Sequence, residues 1–175
     1  MQSDYLIDNI LIDSRKVVFP QTSLFFAIPG PTRSGVDFIH DLYMRGVNNF
    51  VVDNSFSKKQ TSTYPNANFI GVNNVVFALQ QLASHHRQQY LLPVIGITGS
   101  NGKTIIKEWL YQLLQFDFNI VRSPKSYNSK IGVPLSLCQI NNNHTLGIFE
   151  AGISQRDEMA ILQKMIKPQI GVLGF

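Results

Sequence analysis

The sequence predicts an α/β protein in two parts: a small N-terminal α/β domain over residues 1–90, then a mainly parallel α/β domain over residues 91–175. Three observations carry this. Short apolar runs alternate with segments whose apolar residues recur at helical spacing, the pattern of right-handed crossovers and a parallel sheet. The pattern breaks at Tyr90-Leu91-Leu92-Pro93, where a helical segment ends at a proline and a new strand begins. Beyond that break a strand, a glycine-spaced loop and an amphipathic helix follow one another directly. A length of 175 residues suits one ordinary domain or two small ones, and 44% hydrophobic residues exclude a disordered chain.

In the first part, the apolar-rich stretch 6–12 leads into Asp13-Ser14-Arg15. After Pro20, the compact run 23–28, bounded by Pro29-Gly30-Pro31, reads as a buried strand. Phe38, Ile39, Leu42 and Tyr43 recur at helical spacing and stop at Gly46, a C-terminal cap. Residues 50–52 read as a strand, 54–68 as a polar loop, and 69–72 as another short strand. Residues 75–89 place Val75, Val76, Leu79, Leu82 and Ala83 on one face, with Gln80, Gln81, His85, Arg87 and Gln88 elsewhere, an amphipathic helix. In the second part, strands are expected at 94–98, 119–122, 145–149 and 170–173. Helices are expected at 104–115, 131–137 and 157–165, the first with Ile105, Ile106, Trp109, Leu110, Leu113 and Leu114 on its apolar face.

Fifteen Lys and Arg against 11 Asp and Glu leave a net charge of +4. The excess is scattered, unlike the clustered stripe of a nucleic-acid binder, so no nucleic-acid partner is expected. A mild basic excess in the second half is compatible with a phosphate-bearing ligand. No apolar run approaches the ~20 residues of a membrane span, and the start lacks the basic-then-apolar order of a signal peptide. The single cysteine, Cys138, can form no intramolecular disulfide and no four-ligand zinc site by itself. A reducing, cytoplasmic setting is the expectation. His40, His85, His86 and His144 are expected at the surface.

The stretch 94–104, VIGITGSNGKT, carries the most chemistry. Glycines let backbone amides approach phosphate oxygens with no Cβ in the way, and the helix N-terminus adds partial positive charge. Lys103 would reach the β- and γ-phosphates of a nucleoside triphosphate, and the Thr104 hydroxyl would ligate Mg²⁺. The strict spacing GxxxxGK[ST] is not met: Ile97 stands where its first glycine belongs, and the glycine is Gly99. A second Mg²⁺ ligand should be a carboxylate at the end of a neighbouring strand. Glu150, after the apolar run 146–149, supplies one; an acidic residue after a strand is by itself more often a solvated cap, a balance that pairing with the phosphate loop reverses. Between these lies the polar segment 123–130, which by itself reads as a helix N-terminal cap region.

These three segments, in this order, resemble the Mur ligases, ATP-dependent amide-bond ligases of peptidoglycan synthesis. The family loop T-G-[ST]-N-G-K-T stands at Thr98, Gly99, Ser100, Asn101, Gly102, Lys103 and Thr104. The family segment N-x-N-N-x-I-G-V-P is similar to residues 126–134, with Asn128 kept and Ser126 and Ser129 in place of asparagines; E-x-G is Glu150-Ala151-Gly152. Asp13-Ser14-Arg15, Pro20, residues 24–27, Gly35, Phe38-Ile39 and Gly46 are similar to the UDP-binding domain of the branch that adds D-alanyl-D-alanine. Ser34-Gly35-Val36 departs from that branch's Asp-Gly-His. Residues 107–111 and 147–155 look most like the form fused to an alanine racemase.

The resemblance implies a small N-terminal α/β UDP-binding domain followed by a truncated P-loop, mainly parallel α/β ATPase domain. It implies ATP and Mg²⁺ as cofactors, with UDP-N-acetylmuramoyl-tripeptide and D-alanyl-D-alanine as substrates joined through an acyl phosphate. Residues 98–104 would hold the phosphates, Thr104 and Glu150 the metal, and Asn128 would sit near the transferred phosphoryl group. Lys103, Glu150 and Asn128 are the catalytic candidates. Ser14 and Arg15 would sit near the uridine diphosphate, although Arg15 can equally be a structural salt-bridge partner. The family continues past Val172-Leu173 with a metal-binding histidine, a lysine and a third domain. The expectation is therefore an N-terminal portion that binds ligand and does not turn over. The competing readings are another P-loop phosphotransferase, such as a small kinase, and a non-catalytic nucleotide-binding module.

Overall fold

A computed structural model describes residues 6–56, 58–152 and 158–174; Asp157, the expected start of a helix, and the motif residues Ile153, Ser154 and Gln155 lie outside them. Two compact units divide the chain, Met1–Ala78 and Leu79–Phe175.

In the first unit, β1 (Asn9–Leu11), β2 (Ser23–Phe26), β3 (Asn49–Asp53) and β4 (Asn68–Val72) lie side by side in that order, each pair parallel. All of β2 and the first four residues of β3 are buried, which is why both read as continuous apolar runs rather than alternating ones. Helix α1 (Ile39–Met44) places Ile39 and Leu42 against Phe25, Val47 and Phe50. Residues 54–68, expected as loop, instead hold a helical turn, α2 (Lys58–Thr61). Their polar composition hides two aromatic anchors: Tyr64 packs 5.0 Å from Tyr43, and Phe56 stacks 5.3 Å from Phe69.

The division between units falls inside α3 (Val75–Gln88). The second unit continues through β5 (Val94–Gly99), α4 (Lys103–Leu114), β6 (Ile120–Arg122), α5 (Gly132–Leu137), β7 (Leu146–Glu150), α6 (Glu158–Ile166) and β8 (Ile170–Gly174). Its sheet is parallel, in the order β6-β7-β5-β8. The connection leaving β5 runs one way along the sheet and the following ones run back. Right-handed crossovers therefore put α4 on one face and α5 and α6 on the other. One face packs Ile106, Leu110 and Leu114 on Ile95, Ile97, Leu146 and Ile148. The opposite face packs Val133, Leu137, Leu162, Met165 and Ile166, with Ala83 of α3, on Val94, Val121 and Phe149.

Three corrections to the sequence reading follow from this layering. The broad stripe expected on α4 spans two rows, and a sheet covers one: Ile105, Trp109 and Leu113 are 57%, 63% and 73% exposed, while Lys107 is buried. On α3, Leu82 lies at the exposed margin and Arg87, expected off the apolar face, is 4% exposed. His40 and His85 are exposed as expected, but His86 and His144 are half-buried. His86 Nε2 lies 2.8 Å from the Ile140 carbonyl, and His144 Nδ1 accepts the Asn141 N–H. No helix of the described residues is long and apolar enough to cross a membrane.

Arg87 is a structural tie. Its Nε donates to the Ile166 carbonyl at the end of α6 at 3.0 Å, and its terminal nitrogens donate to the carbonyls of Tyr90 and Leu92 at 2.7 and 3.4 Å. Burial pulls the guanidinium below its ordinary pKa. Arg87→Met is expected to lower stability by about 2–4 kcal/mol, because three carbonyls lose a charged donor; urea unfolding measures this.

Candidate functional site

The reversal of winding at β5 puts the end of that strand where open α/β sheets bind ligands. There Gly99 ends β5 at φ +131°, and Gly102 precedes α4 at φ +76°, both in the region that favours glycine. A Cβ on Gly99 would stand 2.0 Å from the Gly174 carbonyl oxygen, so the close pairing of β5 with β8 requires glycine there. No side chain caps the N-terminus of α4. Its first amides therefore lack intrahelical acceptors, and with the helix dipole they form a site that favours an anion.

Lys103 Nζ donates to the Gly99 carbonyl at 2.6 Å and lies 3.4 Å from that of Ser100, folding the ammonium over its own loop. One residue on, Thr104 Oγ1 donates to Glu150 Oε2 at 3.1 Å and lies 3.3 Å from Ser126 Oγ. Glu150 reaches this place because Ile97 on β5 is its partner in register and accepts the N–H of Ala151. The carboxylate is fully buried.

The segment after β6 completes the site. Ser123 Oγ accepts the Glu150 N–H at 3.1 Å, and the Asn128 carbonyl accepts the Gly152 N–H at 2.7 Å. Thr98, Gly99, Ser100 and Lys103 border an open cavity of about 640 Å³, with Asn128, Ser129 and Gly152 across from them and Met159 and Leu173 at its margin. Asn101 is exposed.

Lys107 has no singled-out role in the sequence, yet its side chain is fully buried, with Nζ 2.8 Å from Glu150 Oε1. It also donates to the carbonyls of Ser123, at 2.8 Å, and Lys125. The Oε1 contact is an ion pair rather than an aligned hydrogen bond. A signal for it existed: Lys107 falls in the same helical row as Lys103, Leu110 and Leu114, the row facing the sheet.

Ser14 and Arg15 lie in the first unit, in a short 3₁₀ turn capped by Asp13. Arg15 grips Asp13 with two hydrogen bonds of 2.9 and 2.8 Å, and its side chain is otherwise exposed. The side-chain bond from Arg15 is the main reason the Asp13 carboxyl titrates low, at about 2. The Ser14 carbonyl accepts from Arg45 at 2.7 Å.

A glycine loop opening a helix at the switch point of a parallel sheet, beside a buried strand-end carboxylate, defines a phosphate-loop α/β domain. The chain belongs to the Mur ligase family: residues 6–87 match the family's "Mur ligase family, catalytic domain" and residues 97–174 its "Mur ligase middle domain". It is 32% identical over 173 residues to the UDP-N-acetylmuramoyl-tripeptide--D-alanyl-D-alanine ligase of Synechocystis sp., covering 99% of this chain and 37% of that protein. It is 34% identical over 168 residues to the enzyme of the same name from Borreliella burgdorferi, covering 93% and 36%. Among solved structures, MurF from Acinetobacter baumannii superposes with a TM-score of 0.84 at 25% identity, over 94% of this chain and 35% of that one. The MurF ligase of Thermotoga maritima in complex with ADP gives 0.81 at 27% identity, over 98% and 38%. The chain spans just over a third of the length of these relatives.

Proposed function

We propose that the chain supplies the UDP-substrate and nucleotide-phosphate parts of a ligase that joins D-alanyl-D-alanine to UDP-N-acetylmuramoyl-tripeptide in the cytoplasm. The observation that carries this is that Lys103, at the uncapped N-terminus of α4, borders the cavity, while Thr104, the next residue, is hydrogen-bonded to the buried Glu150 carboxylate. The relatives' names support the substrates. In such a reaction the tripeptide carboxylate takes the γ-phosphoryl group of ATP and releases ADP. The amine of D-alanyl-D-alanine then attacks the acyl phosphate, a proton is lost from nitrogen, and inorganic phosphate leaves.

Little covalent work falls to the protein in phosphoryl transfer, so positioning and charge compensation carry it. The amides of residues 99–104 receive the phosphates, and Lys103 exchanges its loop carbonyls for phosphate oxygens, a stronger charged pairing. Thr104 Oγ1 and Glu150 Oε2 are adjacent hard oxygen donors and fit Mg²⁺. Among the described residues no three His, Cys, Asp or Glu cluster as a metal cage. Thr104 and Glu150 are the two residues that would hold the ion. Bound there, Mg²⁺ neutralises charge on the phosphoryl oxygens. Asn128 orients the group that accepts the phosphoryl, and Ser14 and Arg15 contact the uridine diphosphate. Residues 1–90 serve as the substrate domain and 91–175 as the first part of the nucleotide domain.

Calorimetric titration tests the reading. Mg-ATP should bind saturably, and Lys103→Ala should weaken it about 100-fold, or roughly 2.7 kcal/mol. Heat from Mg-ATP but none from UDP-N-acetylmuramoyl-tripeptide at millimolar concentration would count against the ligase assignment.

A further inference from the structure

Lys107 is fully buried in α4, three residues after Thr104. Lysine rarely occupies such a place, because desolvating an ammonium is costly. Its Nζ donates to the carbonyls of Ser123 and Lys125 and forms ion pairs with Glu150 Oε1 at 2.8 Å and with Glu108 Oε1 at 3.4 Å. All of these groups except Glu108 lie outside α4, so one ammonium ties the helix to the end of β7 and to the segment after β6. A buried ion pair is generally no more stabilising than apolar side chains of the same volume, so stability alone gives little reason to keep it.

The geometry points to Lys107 as a positioning residue. By holding Oε1 of Glu150, it sets the carboxylate so that Oε2 faces Thr104 Oγ1 beside the phosphate loop. By holding the carbonyls of Ser123 and Lys125, it fixes the root of the segment that carries Asn128, which is itself tied to Gly152. The two oxygens that would ligate Mg²⁺ are thus preset before nucleotide arrives. This inference rests on the proposed nucleotide and metal roles of the site, and it assigns Lys107 the coupling between metal and nucleotide, not contact with either.

The test is the ratio of ADP affinities with and without Mg²⁺, measured by calorimetry on the whole chain. Wild type should bind ADP at least tenfold more tightly with Mg²⁺. Lys107→Met should bring that ratio close to one while changing metal-free ADP affinity less than twofold. A purely structural role would lower both affinities together or neither, leaving the ratio intact, and that result overturns the inference. If wild type binds no ADP, or binds it without regard to Mg²⁺, the underlying functional reading fails instead. Should Lys107→Met not fold, the ¹⁵Nζ resonance of Lys107 in the unaltered chain decides. It should shift on adding Mg²⁺ to the ADP complex, and a resonance that stays in place overturns the proposal.

Discussion

Glu150→Leu is expected to lower the unfolding free energy by about 3–5 kcal/mol, far more than the loss of an ordinary surface carboxylate. Glu150 and Lys107 are both fully buried, and removing the carboxylate leaves a buried ammonium with two carbonyls and, as counter-charge, only the part-exposed Glu108 carboxylate 3.4 Å away, which Arg122 also engages. The double variant Glu150→Leu/Lys107→Met should recover most of the loss, since an apolar pair of similar volume is often as stable as the ion pair. Urea unfolding of the two single variants and the double variant checks this. Deficits that simply add would mean that the two side chains do not share a charge interaction. Magnesium-dependent nucleotide binding should stay lost in the double variant, because no carboxylate remains beside Thr104.

Gly99→Ala is expected to cost more than about 4 kcal/mol and to abolish nucleotide binding. The new methyl group would meet backbone on every near side, 2.0 Å from the Gly174 oxygen, 2.7 Å from its carbonyl carbon and 2.8 Å from its nitrogen. None of these atoms can swing aside without β8 leaving β5, with which it pairs along five residues. At Gly102 the φ of +76° is also unusual for other residues, but the space is open, with Ile106 Cδ1 the nearest atom at 4.0 Å. Gly102→Ala should therefore cost only about 1–2 kcal/mol, from the backbone angle alone. Chemical unfolding of the pair, with hydrogen exchange of the β8 amides, separates the two effects; equal losses would mean that the approach of Gly174 is not what demands glycine at 99.

The strands and the phosphate loop were legible because each leaves a local mark: continuous apolar runs for strands buried on both faces, and glycines with Lys-Thr where a strand gives way to a helix. Glu150 was legible as a carboxylate closing an apolar strand, and the register of β7 beside β5 brings it to Thr104. What stayed hidden depends on contacts between distant segments. The apolar stripe of α4 does not say which of its two rows meets the sheet, because that is decided by α4 lying alone against the Ile95–Ile148 cluster. Lys107 and Arg87 look like surface cations until their acceptors are seen, at Ser123, Lys125 and Glu150 for one and at Tyr90, Leu92 and Ile166 for the other. The turn at Lys58–Thr61 is short and polar, and its order is borrowed from Tyr64 and Phe56 packing on the first core.

The outward row of α4 has an optical consequence. Trp109 is the chain's one tryptophan and is 63% exposed in the folded state. Its emission should already lie near that of indole in water and move little when the protein unfolds. Fluorescence titrations in urea should therefore report almost no transition where circular dichroism reports a full one. A blue shift in the same emission would instead report the burial of that row against another surface.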